Sequence, residues 1–203
     1  MARARIDHLV VTAPTLAAGV DFVRAALGVG PQPGGRHPRM ATHNCLLRLG
    51  PATYLEVIAI DPEAEAELPR WFQLDRGGPP RLATWVARTG DIQSAAARAP
   101  DFGRIEPMAR GDLRWEITLP EGGGLPFDGI APTLIQWRTE PHPAALLADS
   151  GCALVRLEGF HPRAAELSGL LGAIGLQDPV ELSAGRPRLA AHIQTPAGPR
   201  VLG

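Results

Sequence analysis

The stretch GGRHPRMATHN, residues 34–44, contains two histidines, His37 and His43, and ends at Asn44. Imidazole binds divalent metals and exchanges protons near neutral pH, so two neighbouring histidines raise the question of a metal site. Their six-residue spacing does not by itself place both rings on one face of a helix or a strand. The stretch predicts a loop and strand start at the rim of a pocket, where His37, His43 and Asn44 contact a substrate. The competing interpretation is a solvated polar loop.

A second candidate pair, His8 and Glu56, lies in the strand-like segments IDHLVV and YLEVIAI. Because side chains alternate along a strand, His8 shares its face with Ile6 and Val10. A polar group among apolar neighbours needs a partner once it is buried. Imidazole and carboxylate together suit Zn, Mn, Fe or Ni, and they equally suit a hydrogen-bonded pair without a metal. In the second case Glu56 is the group that would transfer a proton.

The elements that position these residues recur along the chain. Residues 1–60 predict a strand, an amphipathic helix and three strands, and residues 81–138 repeat that βαβββ order after a polar connection over 61–80. Residues 139–203 predict a partial third unit of βαβ type, packed on the same domain. The fold class expected is therefore α+β, with duplicated βαβββ modules and a C-terminal extension.

The repeat places different residues at equivalent positions of its two copies. Aligning IDHLVV with LATWVA places His8 over Thr84, and aligning YLEV with LIQW places Glu56 over Gln136. Threonine is a poor metal ligand and glutamine a weak one, while a stable catalytic site usually has three or more. His43 is a further candidate ligand, because it begins the strand predicted to lie beside YLEV.

The chain resembles the glyoxalase-like domain branch of the vicinal oxygen chelate superfamily through IDHLVV, GGRHPRMATHN, YLEVIAIDP, LATWVART and TLIQW. The resemblance implies that two modules curl into one cup-shaped mixed sheet around a metal or substrate. In metal-dependent members, each module gives one ligand from its first strand and one from its last. The implied metal set here is His8, Glu56 and Gln136, and the candidate catalytic residues are Glu56 and His43.

The resemblance also implies a function. The first hypothesis is a glyoxalase- or dioxygenase-like enzyme whose small organic substrate lies in the cup, with a divalent metal acting as Lewis acid. The second is a non-catalytic protein that binds or sequesters a small molecule, which the degenerate second module favours. In both, Trp85 is expected to form a wall of the cup beside His37 and Asn44. Fold analogy alone does not choose between them.

The composition of the chain limits the classes of binding partner and the cellular location that we expect. The net charge is −1, so nothing points to nucleic acid or an anionic membrane surface. The sequence has no apolar run long enough for a spanning helix and no signal-peptide pattern, so we expect a cytoplasmic protein. Its two cysteines form no disulfide framework. Because members of the superfamily often pair modules between chains, a homodimer is also an expectation of the resemblance.

Overall fold

The computed structural model of the chain describes residues 3–65 and 69–203. The first unit consists of β1 (Arg5–Thr12), α1 (Leu16–Leu27), β2 (Gln32–His37), β3 (Thr42–Arg48) and β4 (Tyr54–Ile60). The second unit repeats the order with β5 (Arg81–Arg88), α2 (Ile92–Arg98), β6 (Arg104–Arg110), β7 (Leu113–Leu119) and β8 (Thr133–Trp137). The C-terminal segment forms β9 (Ala153–Phe160), α3 (Ala164–Ala173), β10 (Val180–Ser183), β11 (Arg188–Thr195) and β12 (Gly198–Leu202).

The first helix begins and ends where its sequence dictates. The Thr15 hydroxyl accepts the amide hydrogen of Ala18 at 3.2 Å, which satisfies one of the free amides of the first turn. Gly28 closes the helix with a φ of 73°, a conformation that favours glycine. Val23 and Leu27 are fully buried and hold α1 against the sheet. These features fix the outer wall behind β1 and β4.

Eight strands form one curled sheet in the order β2-β3-β4-β1-β5-β8-β7-β6. The two units meet where β1 pairs antiparallel with β5, and each first strand pairs parallel with the last strand of its own unit. The strand order is therefore symmetric about the β1–β5 pair, with equivalent strands of the two units at equal distances from it. The prediction of an α+β fold with duplicated βαβββ modules and a cup is confirmed, and both modules come from one chain.

The C-terminal segment forms a second sheet of four strands in the order β10-β9-β11-β12. Strands β9 and β10 are parallel and joined by α3, which is the βαβ unit expected from the sequence, and β11 and β12 extend it. Leu157 and Ile193 of this sheet belong to the same buried cluster as Leu9 and Trp85 of the large sheet. The two sheets thus share one apolar core. Among the described residues, no helix has the length and apolarity needed to cross a membrane.

The stretch 34–44 is more regular than a loop. Gly34, Gly35 and His37 lie within β2, a short 3-10 turn spans Pro38–Met40, and β3 follows at once. The β2–β3 pairing is irregular between Pro33 and Arg36, at the two glycines. The expectation of a rim loop is corrected to a hairpin at the edge of the cup.

Candidate functional site

The concave face of the large sheet encloses a cavity of about 430 Å³, counting all space between its walls and its open mouth. The covering wall includes Trp71 and Phe72 from the connection between the modules, and Pro143 from the segment before β9. Side chains from three separate parts of the chain therefore complete the cavity.

A bulge in β1 brings two neighbouring polar side chains together. The pairing of β1 with β5 shifts register between Ile6 and His8, so the intervening Asp7 is the extra residue. In a regular strand Asp7 and His8 would point to opposite faces. Instead the Asp7 carboxylate accepts a hydrogen bond from His8 Nδ1 at 2.7 Å. The bulge therefore creates an aspartate–histidine pair at the base of the cup.

Asp7 is fully buried and makes hydrogen bonds through both carboxylate oxygens. One oxygen is bonded to His8, and the other accepts from Trp137 Nε1 at 3.0 Å and from His142 Nε2 at 2.9 Å. Burial acts to raise the pKa of Asp7, but the hydrogen bonds from His142 and His8 outweigh it and hold the pKa far below its usual range. Asp7 is therefore an ionised carboxylate, stabilised entirely by its protein donors.

Glu56 lies beside His8 on the neighbouring strand β4. Glu56 Oε2 lies 3.6 Å from His8 Nε2, and the two side chains are almost wholly buried. Asn44 Nδ2 donates to Glu56 Oε1 at 2.6 Å, and Asn44 Oδ1 accepts from the Gly35 amide at 2.7 Å. These bonds fix the amide orientation of Asn44 and one oxygen of Glu56. The second oxygen of Glu56 and Nε2 of His8 are left facing each other without a direct hydrogen bond.

Tyr54 holds the His8 ring from its face. The two rings stack with centroids 4.5 Å apart and an angle of 17° between their planes. Burial raises the pKa of the Tyr54 phenol well above its usual value, with the charges of Asp7 and Glu56 acting in the same direction. Tyr54 therefore remains a neutral hydroxyl on the cavity wall, able to donate a hydrogen bond.

Gly34 is required for the position of Asn44. A Cβ at residue 34 would lie 2.1 Å from Asn44 Oδ1 and 2.8 Å from the Asn44 carbonyl oxygen. We expect Gly34→Ala to lower the free energy of unfolding by about 1–3 kcal/mol, because the asparagine must move. Urea denaturation measures this against Gly90→Ala, where an added Cβ meets nothing within 4 Å. Equal losses in the two variants would contradict a steric role for Gly34.

His37 lines the same cavity from the end of β2. Arg110 donates from a guanidinium nitrogen to His37 Nε2 at 3.1 Å, so the ring proton lies on Nδ1, 3.4 Å from the Thr42 hydroxyl. The rings of Trp71 and Trp115 meet His37 edge-on at centroid distances of 5.1 and 6.3 Å. Burial, then the charge of Arg110, lowers the pKa of His37 to about 3. His37 is therefore a neutral acceptor for Arg110.

The low pKa of His37 predicts a histidine whose NMR resonances do not shift over the usual titration range of the residue. The unfolded ring takes a proton near pH 6.5 and the folded ring only near pH 3, so the folded state loses stability as pH falls between these values. We expect the His37 ring resonances to stay unchanged from about pH 8 to pH 5. His37→Asn identifies them by their disappearance. A midpoint above about pH 6 would contradict the buried neutral ring.

His43 lies on the other face of β3 from Asn44. It pairs with Ala59 of β4, while the cup-facing residues Asn44 and Leu46 alternate with it. His43 therefore lies on the face of β3 that does not line the cavity, and the structure does not bring it together with His8 and Glu56. The physical reason is that side chains alternate along β3, so Asn44 and Leu46 face the cup while His43 faces the other way.

Gln136 and Trp85 also face away from the cavity. The Gln136 side chain accepts from the Ile92 amide at 3.0 Å and donates to the Gly90 carbonyl at 2.7 Å, so it binds the start of α2. Trp85 is fully buried in the core behind the sheet, and its Nε1 donates to the Ile130 carbonyl. Gln136 as a metal ligand and Trp85 as a cup wall are thus corrected. In β8, the cup-facing residues are Ile135 and Trp137.

Several site residues carry no local sequence signal for their role. Strict alternation assigns Asp7 to the wrong face, and only the bulge brings it to His8. Arg110 and His142 reach the site from elements distant along the chain, and Trp71 reaches it from the polar connection. The aspartate beside a histidine in IDHLVV is the one local feature that could have pointed to the pair.

A family model described as a glyoxalase-like domain matches residues 6–175 of the sequence. The chain belongs to the glyoxalase-like domain family. The resemblance to the glyoxalase-like domain family, drawn from the segment order, is therefore confirmed. No protein of curated function matches the sequence.

Solved structures extend the likeness beyond the family segment. A hypothetical protein from Staphylococcus aureus superposes with a TM-score of 0.65 at 11% identity, covering 91% of this chain and 88% of its own. Methylmalonyl-CoA epimerase of Streptomyces coelicolor, in complex with 2-nitronate-propionyl-CoA, gives 0.45 at 22%, over 66% of this chain and 98% of its own. The Mycobacterium tuberculosis epimerase gives 0.43 at 15%, over 69% and 91%. The first match supports a shared fold that includes the C-terminal sheet.

The donor set of this glyoxalase-like domain does not fit a tightly held divalent metal. His8 Nε2 and Glu56 Oε2 are two donors that face each other, while His8 Nδ1 is bonded to Asp7. The second module gives Ile135 and Trp137 to the cup in place of ligands. Within residues 3–65 and 69–203, no group of three or more His, Cys, Asp or Glu side chains is placed so that it could hold a metal ion. Two donors are fewer than such a site needs.

Proposed function

We propose that the cup is the active site of an enzyme that moves a proton at a carbon next to a carbonyl group of a small organic substrate. This is chemistry of the isomerase or lyase type. The observation that carries the proposal is the buried chain of Asp7, His8, Glu56 and Asn44, in which two acid–base groups face each other and each is held from behind. Such supported pairs are a recurrent arrangement for general acid–base catalysis.

Glu56 is the group proposed to remove the proton. Its Oε1 is fixed by Asn44, so Oε2 is the oxygen available to a substrate C–H. When Oε2 takes the proton, the electron pair of the C–H bond moves into the adjacent carbonyl and forms an enolate. The neutral hydroxyl of Tyr54, on the same wall, is a donor of the kind that stabilises such an oxygen anion.

His8 is the proposed second proton carrier. Its Nδ1 proton is held by the ionised Asp7, so Nε2 is the nitrogen that exchanges a proton with the space in front of Glu56. An aspartate behind a histidine fixes the tautomer and stabilises the imidazolium when it forms. Glu56 then passes the proton it has taken to His8 Nε2, and the imidazolium returns a proton to the substrate carbon, so the isomerisation is complete and both groups are back in their starting states.

The C-terminal segment belongs to the same functional unit. His142 Nε2 donates to Asp7, and His142 Nδ1 accepts from the Ala144 amide at 3.2 Å, which fixes its tautomer. Pro143 lies in the cavity wall. We therefore treat residues 1–138 and 139–203 as parts of one active unit, since the state of Asp7 depends on a residue from each.

Sequestration of an aromatic small molecule without turnover is the second candidate. It is favoured by the aromatic part of the cavity wall, which consists of Tyr54, Trp71, Phe72, Trp115 and Trp137. Flat rings contribute large apolar contact area to a bound ligand. This candidate expects binding without proton transfer, which the same experiment distinguishes.

Hydrogen–deuterium exchange tests the proposal. The protein in D₂O is incubated with a panel of 2-oxo acids, hydroxyketones and acyl thioesters, and proton NMR follows the loss of the signal next to each carbonyl. We expect accelerated exchange for at least one compound, lost in the double variant His8→Gln with Glu56→Gln. Exchange at the buffer rate for every compound, or equal rates in the double variant, would overturn the proposal. Binding with no exchange would support sequestration.

A further inference from the structure

The cavity wall around His37 contains a cation with no anionic partner among the described residues. Arg110 is half-buried and lines the cavity, and within the described residues its guanidinium has no carboxylate within salt-bridge distance. Its hydrogen-bond partner there is His37 Nε2, on a neutral ring. A half-buried guanidinium that faces a neutral acceptor keeps most of its donors free for a ligand.

A second donor in this part of the cavity wall also lacks a partner. Trp71 is 4% exposed and lines the cavity, and its buried Nε1 has no acceptor within the described part of the chain. The ring contacts His37 at a centroid distance of 5.1 Å, so it belongs to the same cluster as Arg110. An unpaired N–H in a protein interior is costly unless a ligand satisfies it.

Gly35 connects this cluster to the proposed proton-transfer groups. A Cβ at residue 35 would lie 3.1 Å from Arg110 Nη1, so glycine gives the guanidinium room to pack on β2. The amide of the same residue donates to Asn44, which in turn holds Glu56. One short path of contacts therefore runs from the cation to the candidate base.

We propose that Arg110 and Trp71 bind the carboxylate of the substrate, so that this protein acts on a small organic acid with an apolar or aromatic body. Guanidinium and carboxylate match as a two-bond pair, and the indole N–H is a further donor. The apolar part of the cavity wall, including Ile117 and Ile135, receives the body of the molecule. The assignment of a substrate, as opposed to a mere ligand, rests on the proposed proton transfer.

Binding of matched acids and amides tests this inference. The probes are benzoate, phenylacetate and 3-phenylpropionate, each compared with its amide by calorimetry on the full chain. We expect at least one acid to bind about tenfold or more tightly than its amide, because a charged hydrogen-bond pair is lost in the amide. Arg110→Gln should abolish this preference, and Trp71→Phe should weaken acid binding several-fold.

Arg104→Gln is the matched control, since Arg104 lies on the same strand with its side chain 80% exposed. It should leave the preference intact, and circular dichroism verifies the fold of each variant. Equal affinity for acids and amides, a preference that survives Arg110→Gln, or no binding of any probe overturns the carboxylate site. Because the readout is binding, a failure of proton exchange would overturn the proposed function alone and leave this site standing.

Discussion

Glu56→Gln should slow substrate hydrogen exchange by a factor of about 10² to 10⁴. The amide is close in shape to the carboxylate, and its oxygen can still accept from Asn44 Nδ2. It has no basic oxygen with which to take a proton from carbon. The variant should therefore fold normally while losing turnover, and the initial exchange rate measured by NMR reports the loss.

The matched control for Glu56→Gln is Glu116→Gln. Glu116 lies on β7 between Trp115 and Ile117, which face the cup, so its own side chain points away and pairs with Arg138. It should leave the exchange rate within about twofold, as expected for a surface substitution. A Glu56→Gln protein that exchanges as fast as the unaltered chain would remove Glu56 from the mechanism.

Asp7→Asn should cause the largest loss of stability of any single change at the site, about 3–5 kcal/mol. The carboxylate accepts from His8, His142 and Trp137 in a fully buried position. An asparagine nitrogen would face one of these donors with another donor. Urea denaturation at neutral pH measures the loss, with the exposed Asp21→Asn as a control near zero.

The pH dependence gives Asp7→Asn a second, independent readout. The folded pKa of Asp7 lies below its unfolded value, so its contribution is present above about pH 4 and is lost as pH falls through the folded value. The unaltered protein should lose stability toward acid more steeply than Asp7→Asn does. If the free energy of unfolding fell equally steeply toward acid in the two proteins, an ionised, hydrogen-bonded Asp7 would be contradicted.

The sequence was sufficient to predict the two βαβββ units and to select His8 and Glu56 as site residues. Apolar alternation and helix periodicity predicted the two βαβββ units, and they placed His8 and Glu56 on strands that are neighbours in the sheet. The resemblance implied the pair, and the period of two holds from His8 to Val10 and from Tyr54 to Glu56, whereas Ile6, expected on the face of His8, lies before the bulge in the core behind the sheet. The link from Asn44 to Glu56 was not predicted, although both residues were assigned to the cup.

The remaining site residues depend on departures from that regularity. The bulge at Asp7 turns one side chain toward the cup, and nothing in the alternation of IDHLVV signals it. The alignment of YLEV with LIQW placed Gln136 opposite Glu56, but the residues of β8 that face the cup are its neighbours Ile135 and Trp137. A shift of one residue exchanges the two faces of a strand. That single step accounts for the error at Gln136.

The twin glycines of the opening stretch have a structural explanation that the sequence alone left open. Gly34 leaves space for Asn44, and Gly35 leaves space for Arg110 while donating its amide to Asn44. Neither requires a positive φ, so close approach and not turn geometry is the reason for glycine at these positions. The GG pair thus positions both the candidate base and the candidate anion site.

The most direct test of the central claim measures exchange with and without a strong chelator. Protein without an affinity tag is analysed for metal content, treated with EDTA and assayed on the compound that exchanges fastest. We predict an unchanged rate after EDTA, no gain on adding Zn, Mn, Fe or Ni, and loss of the rate in Glu56→Gln. Exchange that stops with EDTA and returns with one of these metals would contradict proton transfer by Glu56 and His8 without a metal.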